Sequence, residues 1–326
     1  MSPSATTERA RAFVDAHVAD ARDLGRRAAE DAFNPADLVA TLDAGLAALA
    51  DPEYQDGQRR IAPGIGQIHG VRTALLSKVS AGLLAATRRD RASTVLDIAD
   101  HCYRAPHLEL HWLADDLVHR VIGENPERAW QLVRREGKTA ADWITVDNLA
   151  HVAARGILLE PYRWAELEQL VYSPSRWERR LAGSTVATLP FEDRDHLHRP
   201  EIVQHGLGIV DQLMGDAEPD VQKSLSWALR NLAAFNADAV TAFLERETER
   251  ATRDDDGHRA WVVRDTLGKI NPNTADRLRT ALAGIRRRPG APSTSKASAA
   301  AADFLSFGLN VPPAERTVID RNLPPA

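Results

Sequence analysis

The chain has 326 residues, a formal net charge of −5 and a single cysteine, Cys102. This length suffices for one large folded domain or two small ones, and the ordinary apolar content indicates a soluble globular protein. One cysteine excludes an intrachain disulfide framework and a cysteine-rich metal site, which fits a reducing compartment such as the cytoplasm. We expect no signal peptide and no membrane span, since neither a leader-like apolar core nor a run of about 18 apolar residues occurs.

The net negative charge of the chain limits which partners its surface could bind. It argues against a surface that is basic throughout, but nucleic-acid binding needs only one basic face. Most of the basic residues are arginines, and the planar guanidinium suits two-point contact with phosphate. A GC-rich genome also produces an arginine bias, so composition alone selects no partner.

Residues 1 to 285 have the composition and periodicity of helices, rich in Ala, Leu, Arg and Glu and without persistent strand-like alternation. Four asparagines, three of them followed by proline, mark helix starts. The last two are 35 residues apart, about the length of a two-helix solenoid repeat. This pattern predicts an all-α superhelical solenoid of HEAT-like helix pairs with a concave binding face. The four asparagines are Asn34, Asn125, Asn236 and Asn271.

Composition also predicts how the chain is divided. We expect an N-terminal helical extension over 1–50, packed on a HEAT-like repeat domain over 51–285, and a mostly flexible tail over 286–326. Within the repeat domain, the glycine-rich stretch 51–70 predicts a structured loop. Serine, proline and alanine after Arg286 are typical of a mobile segment up to about residue 300. The apolar residues 301–309 predict a short docking segment.

The stretch 138–151 predicts a helix start with unusual side chains beside its buried face. Apolar residues at i, i+3, i+4 and i+7 between Val146 and Ala153 form one buried stripe. Trp143, Asp147 and His151 are spaced by four and therefore lie together on the edge of that stripe. An ordinary interpretation is a Trp at the edge of the core, an Asp favoured by the helix dipole and a surface His.

Two more tryptophans are paired with charge farther along the chain. Trp177 precedes Arg180 on one predicted helix, and Trp227 precedes Arg230 on another. Each pair alone is typical of packing, because Trp is usually buried. Three such pairs in successive repeats favour one shared surface, since equivalent positions of a solenoid fall on the same side.

The histidines and glycines point to no metal or cofactor. His107 and His111 are spaced by four, and His196 and His198 lie among acidic residues, but neither set has the spacing of a zinc site. The sequence has no phosphate-binding glycine loop and no nucleophile elbow. We therefore expect no cofactor.

A resemblance to a known family rests on three motifs in chain order. They are Asp142-Trp-Ile-Thr-Val-Asp147, Trp177-x-Arg179-Arg180-x-Ala182 and Val221-Gln-Lys223-x-x-x-Trp227-x-Leu-Arg230. Together they resemble the AlkD family of bacterial DNA alkylation-repair glycosylases, which are HEAT-like-repeat proteins. The resemblance covers roughly residues 55 to 285 and is strongest from 138 to 245. The stretch 69–73 looks like a weak copy of an early family motif, with Ala74 in place of its proline.

The resemblance implies an activity and a set of site residues. Enzymes of this family hydrolyse the N-glycosidic bond of cationic N3- or N7-alkylated purines in duplex DNA. By position, Asp147 would be the catalytic carboxylate, Trp143 and Trp227 the aromatics that pack on the lesion nucleotide, and Arg180 a phosphate contact. The spacing, rather than the resemblance, places His151 one turn beyond Asp147, where it either modulates the charge of that carboxylate or is an ordinary surface histidine. The predicted solenoid places further basic residues where they could contact the DNA backbone, with Lys138 and Arg179 preferred. They are Lys138, Arg179, Lys223, Arg230, Arg59, Arg60 and Arg72.

The chemistry of such a lesion suits these residue types. A cationic purine is a good leaving group, so the charge that develops lies on the sugar, where one fixed carboxylate stabilises it and orients water. The expected partner is double-stranded DNA containing alkylated purines, bound by a monomer in the cytoplasm, at the nucleoid of a bacterium. Two alternatives stay open: a HEAT-like scaffold that binds DNA without chemistry, and a protein-interaction solenoid. The preferred adduct, a small methyl group or a bulky natural product, also stays open.

Overall fold

The computed structural model describes residues 5–31 and 34–301, and this part of the chain contains helices and no β-strand. The all-α prediction is confirmed. Among these helices, none combines the length and the apolar character that crossing a membrane requires. The α-helices are α1 (Ala5–Asp31), α2 (Pro35–Ala48), α3 (Pro52–Ile61), α4 (Thr73–Ala86), α5 (Ala92–Cys102), α6 (Leu108–Val121), α7 (Pro126–Thr139), α8 (Trp143–Leu159), α9 (Arg163–Gln169), α10 (Arg176–Glu192), α11 (Arg199–Leu213), α12 (Pro219–Phe235), α13 (Ala237–Asp254), α14 (Gly257–Thr266) and α15 (Pro272–Ala281). Short 3₁₀ segments follow α4, α9 and α14, and residues 296–301 are again helical.

Three of the four asparagines that mark helix starts cap their helices through the side chain. Asn34 accepts a hydrogen bond from the backbone N–H of Asp37 at 3.0 Å, and Asn236 accepts one from that of Ala239 at 3.0 Å. Asn271 caps α15 in the same way. Asn125 precedes α7 without a side-chain cap bond, and there the proline at the first helical position supplies the signal. The four predicted helix starts are thus confirmed.

The helices pack as stacked pairs. Adjacent helices pair as α5 with α6, α7 with α8, α11 with α12 and α13 with α14, while α4, α6, α8, α10, α12 and α14 pack on one another in that order. We call this second set the even row. Each pair buries its apolar face on its neighbours, which is the arrangement of a helical-repeat solenoid. One continuous core runs through the array.

The N-terminal helix α1 packs along α4, the first helix of the even row. The contact is close at two glycines. A Cβ atom at Gly25 would lie 2.0 Å from the carbonyl oxygen of Val79, and one at Gly82 would lie 2.3 Å from that of Arg22. Since no side chain fits there, glycine allows the two backbones to touch.

The stretch 51–70 differs from the loop that its glycines predict. Asp51 caps α3 by accepting from the N–H groups of Glu53 and Tyr54, and only residues after Ile61 form a loop. The capping Asp and the following proline outweigh the glycines that come later. The buried carboxylate of Glu109 accepts hydrogen bonds from three successive backbone N–H groups, at 69, 70 and 71, and so holds the loop on α6.

The segment after α15 also differs from its prediction. Instead of extending freely, residues 293–297 pack against the turn that follows α11, and Ser295 and Ala297 are buried. The backbone N–H of Thr294 donates to the carbonyl of Gly215 at 2.9 Å, and Lys296 forms an ion pair with Asp211. These long-range contacts, which composition does not reveal, hold the segment on the array. The predicted docking segment 301–309 lies outside the described residues after residue 301.

Candidate functional site

The start of α8 presents Trp143 and Asp147 at the edge of the core. Asp142 caps the helix by accepting from the N–H groups of Ile144 and Thr145 at 2.9 and 3.0 Å. The stripe from Val146 to Ala153 is buried, as its periodicity predicts. Trp143 and Asp147 are half-buried beside it. The helix start therefore fixes where both side chains leave the core.

The carboxylate of Asp147 is held by two residues of the neighbouring helix α10. Arg180 donates from Nε to Oδ1 at 3.1 Å and from Nη2 to Oδ2 at 2.7 Å. The hydroxyl of Ser184, one turn farther along, donates to Oδ1 at 2.7 Å. The Asp147 side chain stays 20% exposed. It is thus both tethered and open to solvent.

Arg180 lies in a different environment from the one expected of a phosphate contact. Its side chain is only 6% exposed. Besides its two bonds to Asp147, it donates from Nη1 to the carbonyl oxygen of Asp220 at 2.7 Å. Its guanidinium carbon lies 6.0 Å from the centroid of the Trp143 ring. The structure therefore joins Arg180 to the protein rather than leaving it free for a phosphate.

A cleft of about 320 Å³ opens above Asp147, and we call it the Asp147 cleft. It brings together six of the side chains that the motifs single out, from α8, α10 and α12, although they are up to 87 positions apart in sequence. The indole N–H of Trp143 donates to the carbonyl oxygen of Ile61 at 3.1 Å, so the end of α3 closes one side. The cleft is lined by Ile61, Trp143, Asp147, Arg180, Lys223, Ser226, Trp227, Arg230 and Asp265.

Two of the residues predicted to contact the DNA backbone, Lys223 and Arg230, line this cleft. Lys223 lines it and is exposed. Arg230 also lines it and forms an ion pair with Asp265, whose carbonyl oxygen it contacts at 3.1 Å. Lys138 is exposed near the end of α7, shortly before α8 begins.

Four other residues predicted to contact the DNA backbone do not line the Asp147 cleft. Arg59 and Arg60 are exposed on α3, in a shallow depression that also contains two acids. Arg72 is tied to Asp51 at 2.6 Å. Arg179 donates to both oxygens of Asp216, at 2.7 and 3.4 Å, and to two backbone carbonyls. Arg72 and Arg179 thus anchor loops to the fold.

The third tryptophan does not join the other two. Trp177 lies against the core beneath the guanidinium of Arg176, 4.7 Å from it, and is not among the residues that line the cleft. Trp143 and Trp227 share the cleft because they lie on neighbours of α10 in the even row.

His151 contacts the carboxylate of Glu192 rather than that of Asp147. Its Nδ1 lies 3.0 Å from Oε1 of Glu192, whose other oxygen lies 2.8 Å from Nε2 of His119. Burial alone would raise the pKa of Glu192, but the bonds from the two histidines outweigh it and lower that pKa to about 2. This cluster lines a second cavity, of about 400 Å³, over α4, α6 and α8.

One cluster within the described residues has the side chains of a metal site. Nε2 of His69 and Nδ1 of His107 each lie 2.8 Å from Oδ1 of Asp43. The two rings are stacked, with centroids 3.7 Å apart. Imidazoles that share a tetrahedral zinc ion diverge from it, whereas stacked rings that donate to one carboxylate form a hydrogen-bonded network. We therefore assign no metal to this cluster.

Two of the remaining histidines, His111 and His198, are also bound to acids. His111, spaced by four from His107, contacts Oε1 of Glu136 at 2.6 Å. Burial alone would lower the pKa of His111, but the bond and charge of Glu136 outweigh it and raise that pKa. His198 contacts Asp193 at 3.0 Å, and His196 takes up a left-handed backbone conformation, with φ 56°.

Comparison with known proteins bears directly on this geometry. A family model described as DNA alkylation repair enzyme matches residues 42–256, well over half of the chain. The chain belongs to this family. The resemblance to AlkD-like proteins is thereby confirmed, and membership indicates a role in DNA repair with DNA as the partner. A comparison with curated proteins found no match.

One residue of the site was not predicted from the sequence. Ser184 lies one turn after Arg180 on α10 and contacts the same carboxylate. The i, i+4 spacing places both side chains on one face of the helix, so the signal was present. A serine within a helix nevertheless indicates no chemistry until its partner is known.

Proposed function

We propose that the protein is a DNA glycosylase that hydrolyses the N-glycosidic bond of cationic N3- or N7-alkylated purines in duplex DNA. The observation that supports this most is the Asp147 cleft, which combines one tethered, accessible carboxylate with two indoles and basic side chains. Family membership supports the DNA repair role. The activity is a monofunctional hydrolysis and needs no cofactor.

Asp147 would act on the charge that develops during bond cleavage. An alkylated purine leaves as a neutral base, so it needs little help from a general acid. The sugar becomes an oxocarbenium-like cation, as in glycoside hydrolysis. A preorganised carboxylate stabilises this cation and orients the attacking water.

Trp143 and Trp227 would hold the lesion nucleotide beside Asp147. The face of an indole attracts a cation, and each such contact contributes on the order of 0.5–2 kcal/mol. Lys223 and Arg230, which line the same cleft, would pair with the phosphates on either side of the lesion. An open cleft also accommodates an adduct without enclosing the base.

A non-catalytic DNA-binding scaffold is the second candidate. It is favoured by one observation: the charge of Asp147 is already compensated by Arg180 within the protein. An ion pair of this kind also occurs where a carboxylate has only a structural role. The two candidates differ in whether Asp147 is needed for base release.

The decisive experiment uses duplex DNA containing N7-methylguanine. The wild type should release the free base, and Asp147→Asn should slow release by about 100-fold or more, which is typical of removing one group that stabilises a developing charge. DNA affinity, measured by fluorescence anisotropy at low salt, should persist in the variant. Asp238→Asn, at an exposed carboxylate on α13 outside the cleft, is the matched control.

The other outcomes are equally clear. Release at the wild-type rate by Asp147→Asn contradicts the proposed role of this residue. DNA binding by the wild type without release supports the scaffold. A lack of DNA affinity even at low salt supports an interaction with another protein instead.

A further inference from the structure

The two carboxylate oxygens of Asp147 accept different numbers of hydrogen bonds. Oδ1 accepts two hydrogen bonds, from Nε of Arg180 and from the hydroxyl of Ser184, whereas Oδ2 accepts one, from Nη2 of Arg180. A carboxylate offers about four acceptor positions, two on each oxygen. Within the described residues, the open acceptor position of Asp147 is therefore on Oδ2.

Both donors are fixed by the fold. Ser184 is fully buried, and Arg180 is anchored by its third bond, to the carbonyl oxygen of Asp220. They lie one turn apart on α10, which packs along α8 in the even row. Because neither donor can move without repacking this helix pair, the carboxylate is held at one angle about its Cβ–Cγ bond.

We propose that Ser184 and Arg180 are positioning residues that reserve the Oδ2 oxygen of Asp147 for the reacting sugar and its water. This inference rests on the proposed glycosylase function for its chemistry. Without the hydroxyl of Ser184, Oδ1 would gain an open acceptor position and the carboxylate could rotate or bind water there. The water and the sugar would then meet an oxygen that is less well oriented.

This role for Arg180 replaces the phosphate contact that the resemblance implies. A guanidinium that is 6% exposed and donates to both oxygens of a carboxylate has little surface left for a phosphate. Lys223, exposed at the same cleft, takes over that contact. Arg180 acts on the reaction through Asp147 alone.

The structure supplies a matched pair of variants. Ser184 and Thr185 are adjacent on α10 and both fully buried, but the hydroxyl of Thr185 has no hydrogen-bond partner in the described part of the chain. Ser184→Ala therefore removes a bond to Asp147, whereas Thr185→Val removes a hydroxyl that bonds to no described residue. A general effect of changing the middle of α10 would appear in both variants.

The first test measures single-turnover release of N7-methylguanine from duplex DNA. Ser184→Ala should lower the rate by about tenfold or more, as expected for a lost hydrogen bond to a charged group, with DNA affinity unchanged. Thr185→Val should keep the wild-type rate. If Ser184 had only a structural role, Ser184→Ala would lower DNA affinity together with the rate, whereas a positioning role lowers the rate at unchanged affinity.

A second test does not depend on activity. A double-mutant cycle of Ser184→Ala and Asp147→Asn, followed by urea unfolding, measures the coupling between the two side chains. If the cycle shows coupling but the wild type releases no base, the positioning contact stands and the proposed function fails. If the wild type releases base but Ser184→Ala matches Thr185→Val in rate and in DNA affinity, the inference is overturned.

Discussion

At the scale of single residues, the carboxylates along the even row differ in what surrounds them. Asp147 is paired with an arginine and open to solvent, whereas Asp115 is buried and accepts from the hydroxyl of Tyr103 at 2.7 Å. Burial raises the pKa of Asp115 well above its usual value. Glu192, bonded by two histidines, has its pKa lowered to about 2. Neighbours, rather than residue type, set the charge of each acid.

Glu192 gives a prediction about stability and pH. Its pKa in the folded protein, about 2, lies below the ordinary value of 4.5, so the ionised form stabilises the fold above pH 4.5 and this stabilisation is lost as the pH falls toward 2. Glu192→Gln should lower the free energy of unfolding by about 1.5–3 kcal/mol at mildly acidic pH, the range for bonds to a charged group. The difference in free energy of unfolding between the wild type and Glu192→Gln should become smaller as the pH falls.

Urea denaturation of the wild type and of Glu192→Gln, at pH values above and below the ordinary glutamate pKa, measures this difference in free energy of unfolding. Glu249→Gln, at an exposed glutamate of α13, is the control and should have little effect. A deficit for Glu192→Gln that is the same at all pH values would contradict the assignment to the ionised pair.

At the scale of helices, close backbone contact joins the N-terminal helix to the array. Gly25 of α1 and Gly82 of α4 each face a backbone carbonyl of the other helix at a distance that excludes a side chain. The helices approach closely because both positions lack a Cβ atom. The packing of α1 on the even row therefore depends on two residues that contribute no side chain to it.

Gly82→Ala should destabilise the protein despite the higher helix propensity of alanine. The added methyl group would lie 2.3 Å from a backbone oxygen, so α1 must shift, and overpacking of this kind costs about 1–3 kcal/mol. Gly208→Ala is the matched control, since a Cβ atom there meets no atom within 4 Å. That variant should be stabilised by up to about 1 kcal/mol.

Thermal unfolding of the two glycine variants distinguishes local from general effects. The expected result is a lower midpoint for Gly82→Ala and an equal or higher one for Gly208→Ala. Two variants that shift in the same direction would show that helix propensity, not the α1–α4 contact, dominates at these positions.

At the scale of the whole molecule, one continuous core runs from α1 to the segment after α15. Cys102 is fully buried within it, and burial raises the pKa of its thiol to about 12. A thiol reacts as the thiolate. The reactivity of Cys102 thus reports whether this part of the array is closed.

We expect Cys102 to resist a thiol-specific reagent such as DTNB in the native protein. In denaturant, one thiol per chain should react at once, since the sequence contains a single cysteine. Rapid labelling of the native protein would show that α5 opens readily from the array.

Local sequence patterns were enough to predict the helices and most of the candidate site residues. Caps such as Asn34 and Asn236 and the apolar stripe of α8 are local signals, because helix starts and amphipathic faces depend on neighbours a few positions away. The same periodicity placed Trp143 beside Asp147. The family motifs then indicated DNA repair. These features need no knowledge of how distant segments meet.

Which side chains contact one another depends instead on how the helices pack. Asp147 and Arg180 are 33 positions apart, and Arg179, next to Arg180 in sequence, binds Asp216 instead. Whether an arginine faces a cleft, a carboxylate or solvent depends on how its helix packs against others. The docked segment around Thr294 and the closure of the cleft by Ile61 were decided in the same way, since such contacts join residues that no local pattern relates.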